Sequence, residues 1–340
     1  MEDALLDGET VVPYLQLRGL LPPDAEPQVT VMVGGVSNVV LAVNNGSTRL
    51  VVKQALARLD VPDEWLATRE RTLVEGAALA LAHAITPTRV PYPLDVDEDA
   101  LVLVIPSAPA DWRCLKDDLM DGRVDPAVFV ELGRVLAPWH SETSGLTEVT
   151  PLCDDQDSFR QLRTDPFHRV IAELHPDLAP TILRCADELE RRRDCLVHGD
   201  FSPKNILVGD DGLWVIDFEV AHIGAPVFDL AYLLTHLVLK SVHLPAHSGA
   251  FQAAATSFLT SYLATLTGAD LDPALAPRTD SVIEHLGCVL LARVDGRSRA
   301  SYLDEPERQT VRTLARWVLN SGPTELDEVW ARLGTSAVQR

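Results

Sequence analysis

The chain has 340 residues, is 46% hydrophobic and carries a formal net charge of −21. That length fits two domains or one large bilobal unit, and so much apolar residue excludes global disorder. With 29 basic residues against 50 acidic ones, the composition weighs against a nucleic-acid partner or an anionic membrane surface, since both are gripped by clustered Lys and Arg.

In chain order, Met1–Asp7 lacks the basic segment of a secretion signal. The longest apolar stretches, 230–239 and 286–292, are too short to span a bilayer. Five cysteines (Cys114, Cys153, Cys185, Cys195, Cys288) form no C-x-x-C pair. Reduced thiols, a cytoplasmic location and no membrane partner are therefore expected. Residues 29–43 read as two strands joined at Gly34-Gly35-Val36-Ser37-Asn38, and Asn44-Asn45-Gly46-Ser47 is a hairpin signal leading to a third strand, 48–53. Residues 64–84 have helical spacing, ended by Pro87, Pro91 and Pro93. The Asp95-Val96-Asp97-Glu98-Asp99 run is not a calcium loop, because Ala100 stands where Gly is needed and Pro106 where Glu is needed. It leads into an apolar strand, 101–105. Beyond 126 the pattern is mainly helical, with expected helices at 228–240, 247–267, 278–294 and 306–320. Short strand-like runs at 195–198 and 213–217 flank a loop. A β-rich front and a helix-rich back predict a bilobal α+β chain.

The loop holds the most informative residues, His198-Gly199-Asp200-Phe201-Ser202-Pro203-Lys204-Asn205, followed after twelve residues by Asp217 in Ile216-Asp217-Phe218-Glu219. A base Asp with an Asn five residues on, then a strand-end Asp, is the pattern of a kinase catalytic loop and its metal-holding Asp. Phosphoryl transfer needs positioning and charge neutralisation around a triphosphate. Asp200 can accept the proton of an attacking hydroxyl. Asn205 and Asp217 supply hard oxygen donors for Mg²⁺.

These motifs resemble those of the aminoglycoside phosphotransferase and choline kinase-like family, relatives of protein kinases that act on small molecules. The resemblance covers about residues 25–320. Val52-Lys53-Gln54-Ala55-Leu56 with Trp65, Arg71 and Glu75 looks most like the methylthioribose kinase-like members. It implies a protein-kinase-like fold: a small antiparallel β lobe with one helix over 1–106, ending at a hinge, and a larger helical lobe over 107–340 with the catalytic loop and substrate site. It also implies that Lys53 contacts the nucleotide's α/β-phosphates, paired with Glu75 or Glu70. Gly34, Gly35, Ser37 and Asn38 then form the phosphate-covering loop, and backbone groups at Val104 and Ile105 read the purine of ATP or GTP. His198 and Asp229 brace the loop, and Glu219 contacts substrate or supports the metal Asp.

Lys204 either neutralises the transferring phosphoryl group or is an exposed loop residue. It is one of only four lysines (Lys53, Lys116, Lys204, Lys240) against 25 arginines, so each marks a place to look for a task Arg does less well. The basic stretch Arg293–Arg299 has no assigned role. His243 and His247 have the spacing of a zinc pair but no nearby Cys, and His140 reads as packing. The expected function is ATP- and Mg²⁺-dependent phosphorylation of a small-molecule hydroxyl (sugar, aminoglycoside or amino alcohol) by a monomer or homodimer. The alternative is a non-catalytic nucleotide-binding pseudokinase. An amine acceptor would require acidic residues such as Asp117, Asp118, Glu284 or Asp295 to converge on the site.

Overall fold

The computed structural model describes residues 5–32, 36–60, 64–145, 151–154, 156–267 and 276–337. After helix α1 (Val11–Leu17) come strands β1 (Gln28–Val31), β2 (Asn38–Asn44) and β3 (Arg49–Ala55), helix α2 (Arg71–Ile85), then β4 (Asp95–Asp97) and β5 (Val102–Pro106). All pairings are antiparallel and the strand order is β1-β2-β3-β5-β4. The period of two along each strand sends side chains to opposite faces. Val52, Val102 and Val104 pack with Leu41, Val43 and the Val11 and Leu15 side chains of α1 on one face. Leu103 and Ile105 join Ala78, Leu79 and Ala82 of α2 on the other. Lys53, next to Val52 and opposite Leu103, thereby falls on the α2 side.

Helices dominate the remainder. The short strand β6 (Arg113–Cys114) runs into α3 (Leu115–Met120), followed by α4 (Pro126–Glu142) and α5 (Pro151–Asp154). Next, α6 (Asp157–Phe159), a π-helical segment (Arg160–Arg169) and α7 (Val170–Leu174) follow without a break. Then come α8 (Ala179–Arg191), β7 (Cys195–Val197), β8 (Ile206–Gly209), β9 (Gly212–Val215), β10 (His222–Gly224) and α9 (Val227–His243). The chain closes with α10 (Ser248–Thr267), α11 (Thr279–Asp295), α12 (Glu305–Ser321) and α13 (Leu326–Ala337). β7 pairs with β10, and β8 lies between β6 and β9, so two small sheets hold the ends of the catalytic-motif segment. Helix α9 is buried nearly all round, from Val227 to Ser241, as its mostly apolar sequence demands. The neighbouring helices α4 and α10 meet at Gly133, where a Cβ would lie 2.7 Å from the Phe258 carbonyl oxygen and the Tyr262 nitrogen.

Helix α2 begins at Arg71, not at 64 as its periodicity suggested. The reason is local: the Arg71 guanidinium donates to the carbonyls of Ser37, Leu56 and Thr68, and an Arg58–Leu66 bridge holds the preceding chain extended. Helices α1 and α13 were not expected from the sequence. The first is only seven residues long, and its apolar pair makes sense only against the sheet. The four expected C-terminal helices are present as α9–α12.

Gly133→Ala tests the α4–α10 contact. Helix propensity alone predicts a gain of roughly 1 kcal/mol. The contact predicts instead a loss of about 1–3 kcal/mol in denaturant unfolding, because backbone atoms must shift to admit the methyl group.

Candidate active site

Lys53 is buried and bridges two carboxylates, Glu75 Oε1 at 2.5 Å and Asp217 Oδ1 at 2.6 Å. The bridge ties β3, α2 and the segment after β9 together. Burial works against the ammonium, but Asp217, Glu75 and Glu219 outweigh it and hold the pKa above the usual lysine value. Glu75 is pushed up to about 7 by burial, with Lys53 opposing. Burial also raises Asp217, yet Lys53 and Lys204 carry its pKa well below the carboxylate norm. Glu70, the alternative partner, instead accepts from the Thr68 hydroxyl.

Asp200 is 1% exposed. Its Oδ2 lies 2.8 Å from Lys204 Nζ and 3.1 Å from Arg163 Nη2. Burial favours the neutral acid, but these two cations prevail and keep the carboxyl ionised. The loop around it is pinned from several sides. The Asn205 side-chain amide donates to the Asp200 carbonyl (3.0 Å) and the Asn205 carbonyl accepts from Ile216 N–H (2.9 Å). Asp229 accepts from the His198 and Gly199 N–H groups at 2.7 and 2.9 Å, while His140, held by the Tyr262 hydroxyl at 2.8 Å, faces the same carboxylate. His198 accepts from Asp200 N–H at Nδ1 and donates to the Ile216 carbonyl from Nε2; burial lowers its pKa, consistent with a neutral ring. Gly199 has φ +75°, and a Cβ there would stand 2.4 Å from the Val220 carbonyl oxygen. Glycine is therefore required between His198 and Asp200. Asp217 also sits in the left-handed region (φ 73°), a strained conformation for a residue with a Cβ.

Glu219 closes a second network. It accepts from the Ser37 hydroxyl (2.6 Å), the Asn38 amide (2.9 Å) and Arg71 Nε (3.1 Å). The turn before β2 is thus latched to the segment after Asp217. Gly34 and Gly35 lie outside the described residues. Val104 and Ile105 are inner residues of β5, and the Val104 carbonyl already accepts from Leu94 N–H (2.8 Å).

One participant escaped sequence reasoning. Arg163, from the π-helical segment, is buried; it also donates to the Gly199 carbonyl (2.8 Å), and its guanidinium packs by the Phe167 and Tyr232 rings. No local pattern marks it. Arg71 was visible only through the family resemblance, and its partner Glu219 is 148 residues away. Of the four acidic residues named for an amine acceptor, Asp117 is exposed and the other three are paired elsewhere. Asp118 binds Arg113 and Arg123, Glu284 binds Arg184, and Asp295 binds Arg312 and His175. His243 pairs with Glu307.

A divalent cation can be tested against these donors. Among the described residues no group of three or more His, Cys, Asp or Glu is placed to hold a metal. This excludes an all-protein cage there but suits Mg²⁺, which takes one or two protein oxygens and completes its shell with phosphates and water. Asn205 commits its amide nitrogen to Asp200, leaving its oxygen as the available donor, and Asp217 is an ionised carboxylate nearby in the chain's fold.

This is the fold of the protein-kinase-like phosphotransferases. Residues 28–254 match the model of the phosphotransferase enzyme family, and the chain belongs to that family. A methylthioribose kinase of Bacillus cereus is 27% identical over 261 residues, covering 68% of this chain and 66% of the relative, so somewhat under two thirds of that protein is matched. Among solved structures, an amicoumacin kinase in complex with AMP-PNP, Ca²⁺ and Ami superposes with a TM-score of 0.60 at 15% identity, covering 94% of this chain and 96% of that one. Plasmodium vivax ethanolamine kinase gives 0.58 at 12% identity, covering 94% and 92%. At these identities the solved structures speak for the fold alone. No described helix is long and apolar enough to cross a membrane.

The Lys53 bridge predicts a pH signature. In Lys53→Met, Glu75 and Asp217 lose the cation that lowers their pKa values, so the folded state binds protons more readily than the unfolded state. Stability should then rise as pH falls from about 8 to about 6, more steeply than in the wild type. Parallel slopes in denaturant melts across that range would contradict the shared bridge.

Proposed function

We propose that this protein is an ATP- and Mg²⁺-dependent kinase of a small-molecule hydroxyl. The observation that carries the reading is Asp200, a buried carboxylate kept ionised by Lys204 and Arg163, on the same constellation as the Lys53–Asp217 pair. An ionised carboxylate held by a rigid loop can accept a hydrogen bond from an acceptor hydroxyl and aim its oxygen in line with a γ-phosphorus. As the new O–P bond forms and the bond from γ-phosphorus to the β–γ bridging oxygen breaks, the hydroxyl proton passes to Asp200 and ADP leaves. Lys53 is the point charge for the α/β-phosphates, oriented by Glu75. Lys204 supplies positive charge where the phosphoryl oxygens gather.

Asn205 and Asp217 would hold Mg²⁺, which would supply charge neutralisation at the phosphates. Asp217 would then serve both Lys53 and this cation. Residues 1–106 act in this reading as the nucleotide lobe and 107–340 as the lobe with the acceptor site. The Glu219 latch to Ser37, Asn38 and Arg71 fixes the phosphate-covering turn against the metal-holding segment.

Asp200→Asn keeps the shape and removes the proton acceptor. With an acceptor found by ADP release over a panel of sugars, amino alcohols, hydroxy acids and aminoglycosides, single-turnover transfer should fall roughly 10²–10⁴-fold. Thermal stabilisation by ATP–Mg²⁺ should remain. In Asp217→Asn the Mg²⁺ concentration needed for half-maximal rate should rise. A near wild-type rate in Asp200→Asn would overturn the assignment.

A further inference from the structure

Beside the catalytic loop lies a cavity of about 100 Å³, lined by Pro203, Lys204, His236, Lys240, Arg293 and Tyr302. Two further cations, Lys116 and Arg299, border it from exposed positions. Lys240, on α9, is 1% exposed. Among the described residues no carboxylate is placed against it; its Nζ lies 5.6 Å from the centre of the Tyr302 ring. Burial pushes its pKa down to about 7, and Arg293 and Lys116 press the same way. Arg293 donates only to the neutral hydroxyl and carbonyl of Ser298, and its Nε is buried without a partner. His236 Nε2 and Tyr302 Oη are also buried and unpartnered.

Buried charges and donors are normally paired, because leaving them unpaired is costly. Here two cationic side chains without a carboxylate partner, Lys240 and Arg293, converge with two neutral unpartnered polar groups, His236 and Tyr302, in a protein whose net charge is −21. One ligand chemistry satisfies them together: an oxyanion. A cavity of about 100 Å³ has room for several waters, and so for one such group. Lys204 connects it to the chemistry, since it lines the cavity and its ammonium lies 2.8 Å from Asp200.

We propose that this cavity binds an anionic group of the acceptor, a phosphate or a carboxylate, so that the hydroxyl phosphorylated here belongs to an acidic small molecule. The proposal rests on the kinase reading above and narrows its substrate class away from amines and neutral sugars. The pairing of Asp118, Glu284 and Asp295 with arginines and histidine agrees with it, because those carboxylates are not available to a cationic acceptor.

The test uses hydroxyl compounds in matched sets, each with a neutral, an amine, a carboxylate and a phosphate-ester member, assayed by ADP release. The wild type should favour an anionic member in kcat/KM by about tenfold or more, the scale of one charge-assisted hydrogen bond. The carboxylate and phosphate arms tell the two oxyanions apart. Lys240→Met and Arg293→Gln should each reduce the preference through KM. Stabilisation by ATP–Mg²⁺ reports that either variant is folded. Inorganic phosphate alone should raise the wild-type melting temperature and have less effect on the variants. Preference for a neutral or amine member, or an anion preference unchanged in both folded variants, would overturn the proposal. If no acceptor releases ADP while phosphate still stabilises the wild type over the variants, the kinase reading fails and the anion cavity stands.

Discussion

One lysine shared by two carboxylates organises this molecule. Lys53 reaches Glu75 on α2 and Asp217 beyond β9 at once. Lys53 and Glu75 are buried and Asp217 is half-buried, and such a cluster is tolerable only while all three remain, since removing one leaves like charges or an unpaired ion poorly solvated. The position of α2 against the sheet, and of the Asp217 segment against both, is therefore coupled to this contact. The Glu219 network repeats the logic a few residues on, with Arg71 as the cation and the Ser37–Asn38 turn as the additional partner. Both connections join the sheet to the same short segment, so the geometry around the inferred phosphate site is set by electrostatics as well as by apolar packing.

Acidity is the other constraint. A chain with net charge −21 that is to bind polyanions, as proposed, must gather its cations locally. The structure has them gathered: Lys53 and Lys204 stand on Asp217 and Asp200, and Lys240 and Arg293 line a cavity next to Lys204. All four lysines lie in or beside this region, with Lys116 at the cavity's border. Many other arginines form ion pairs with nearby carboxylates away from it, such as Arg18 with Asp95 and Arg169 with Glu190. The lysine scarcity noticed in the sequence thus corresponds to a spatial concentration.

The catalytic motif was legible because its members are close in sequence: His198, Asp200 and Asn205 share one loop, and Asp217 follows a single hairpin. The four C-terminal helices were legible from their apolar runs. Where contacts span the chain, legibility failed. Arg163 acts on Asp200 from a π-helical segment whose residues carry no recognisable period, and Arg71 meets Glu219 across 148 residues. The start of α2 was misjudged because side-chain bonds from Arg71, invisible to periodicity, hold the preceding residues extended. The unpaired state of Lys240 was likewise hidden, since a lysine in an apolar helix looks the same whether or not a partner faces it.

The central claim is transfer of phosphate to a small-molecule hydroxyl, with ADP as the other product. Phosphorus NMR of a reaction with ATP, Mg²⁺ and the acceptor panel tests it most directly. One new phosphomonoester resonance should appear per ADP formed, dependent on the acceptor. ADP with free inorganic phosphate regardless of acceptor, or ATP bound and left intact with every acceptor, would contradict it.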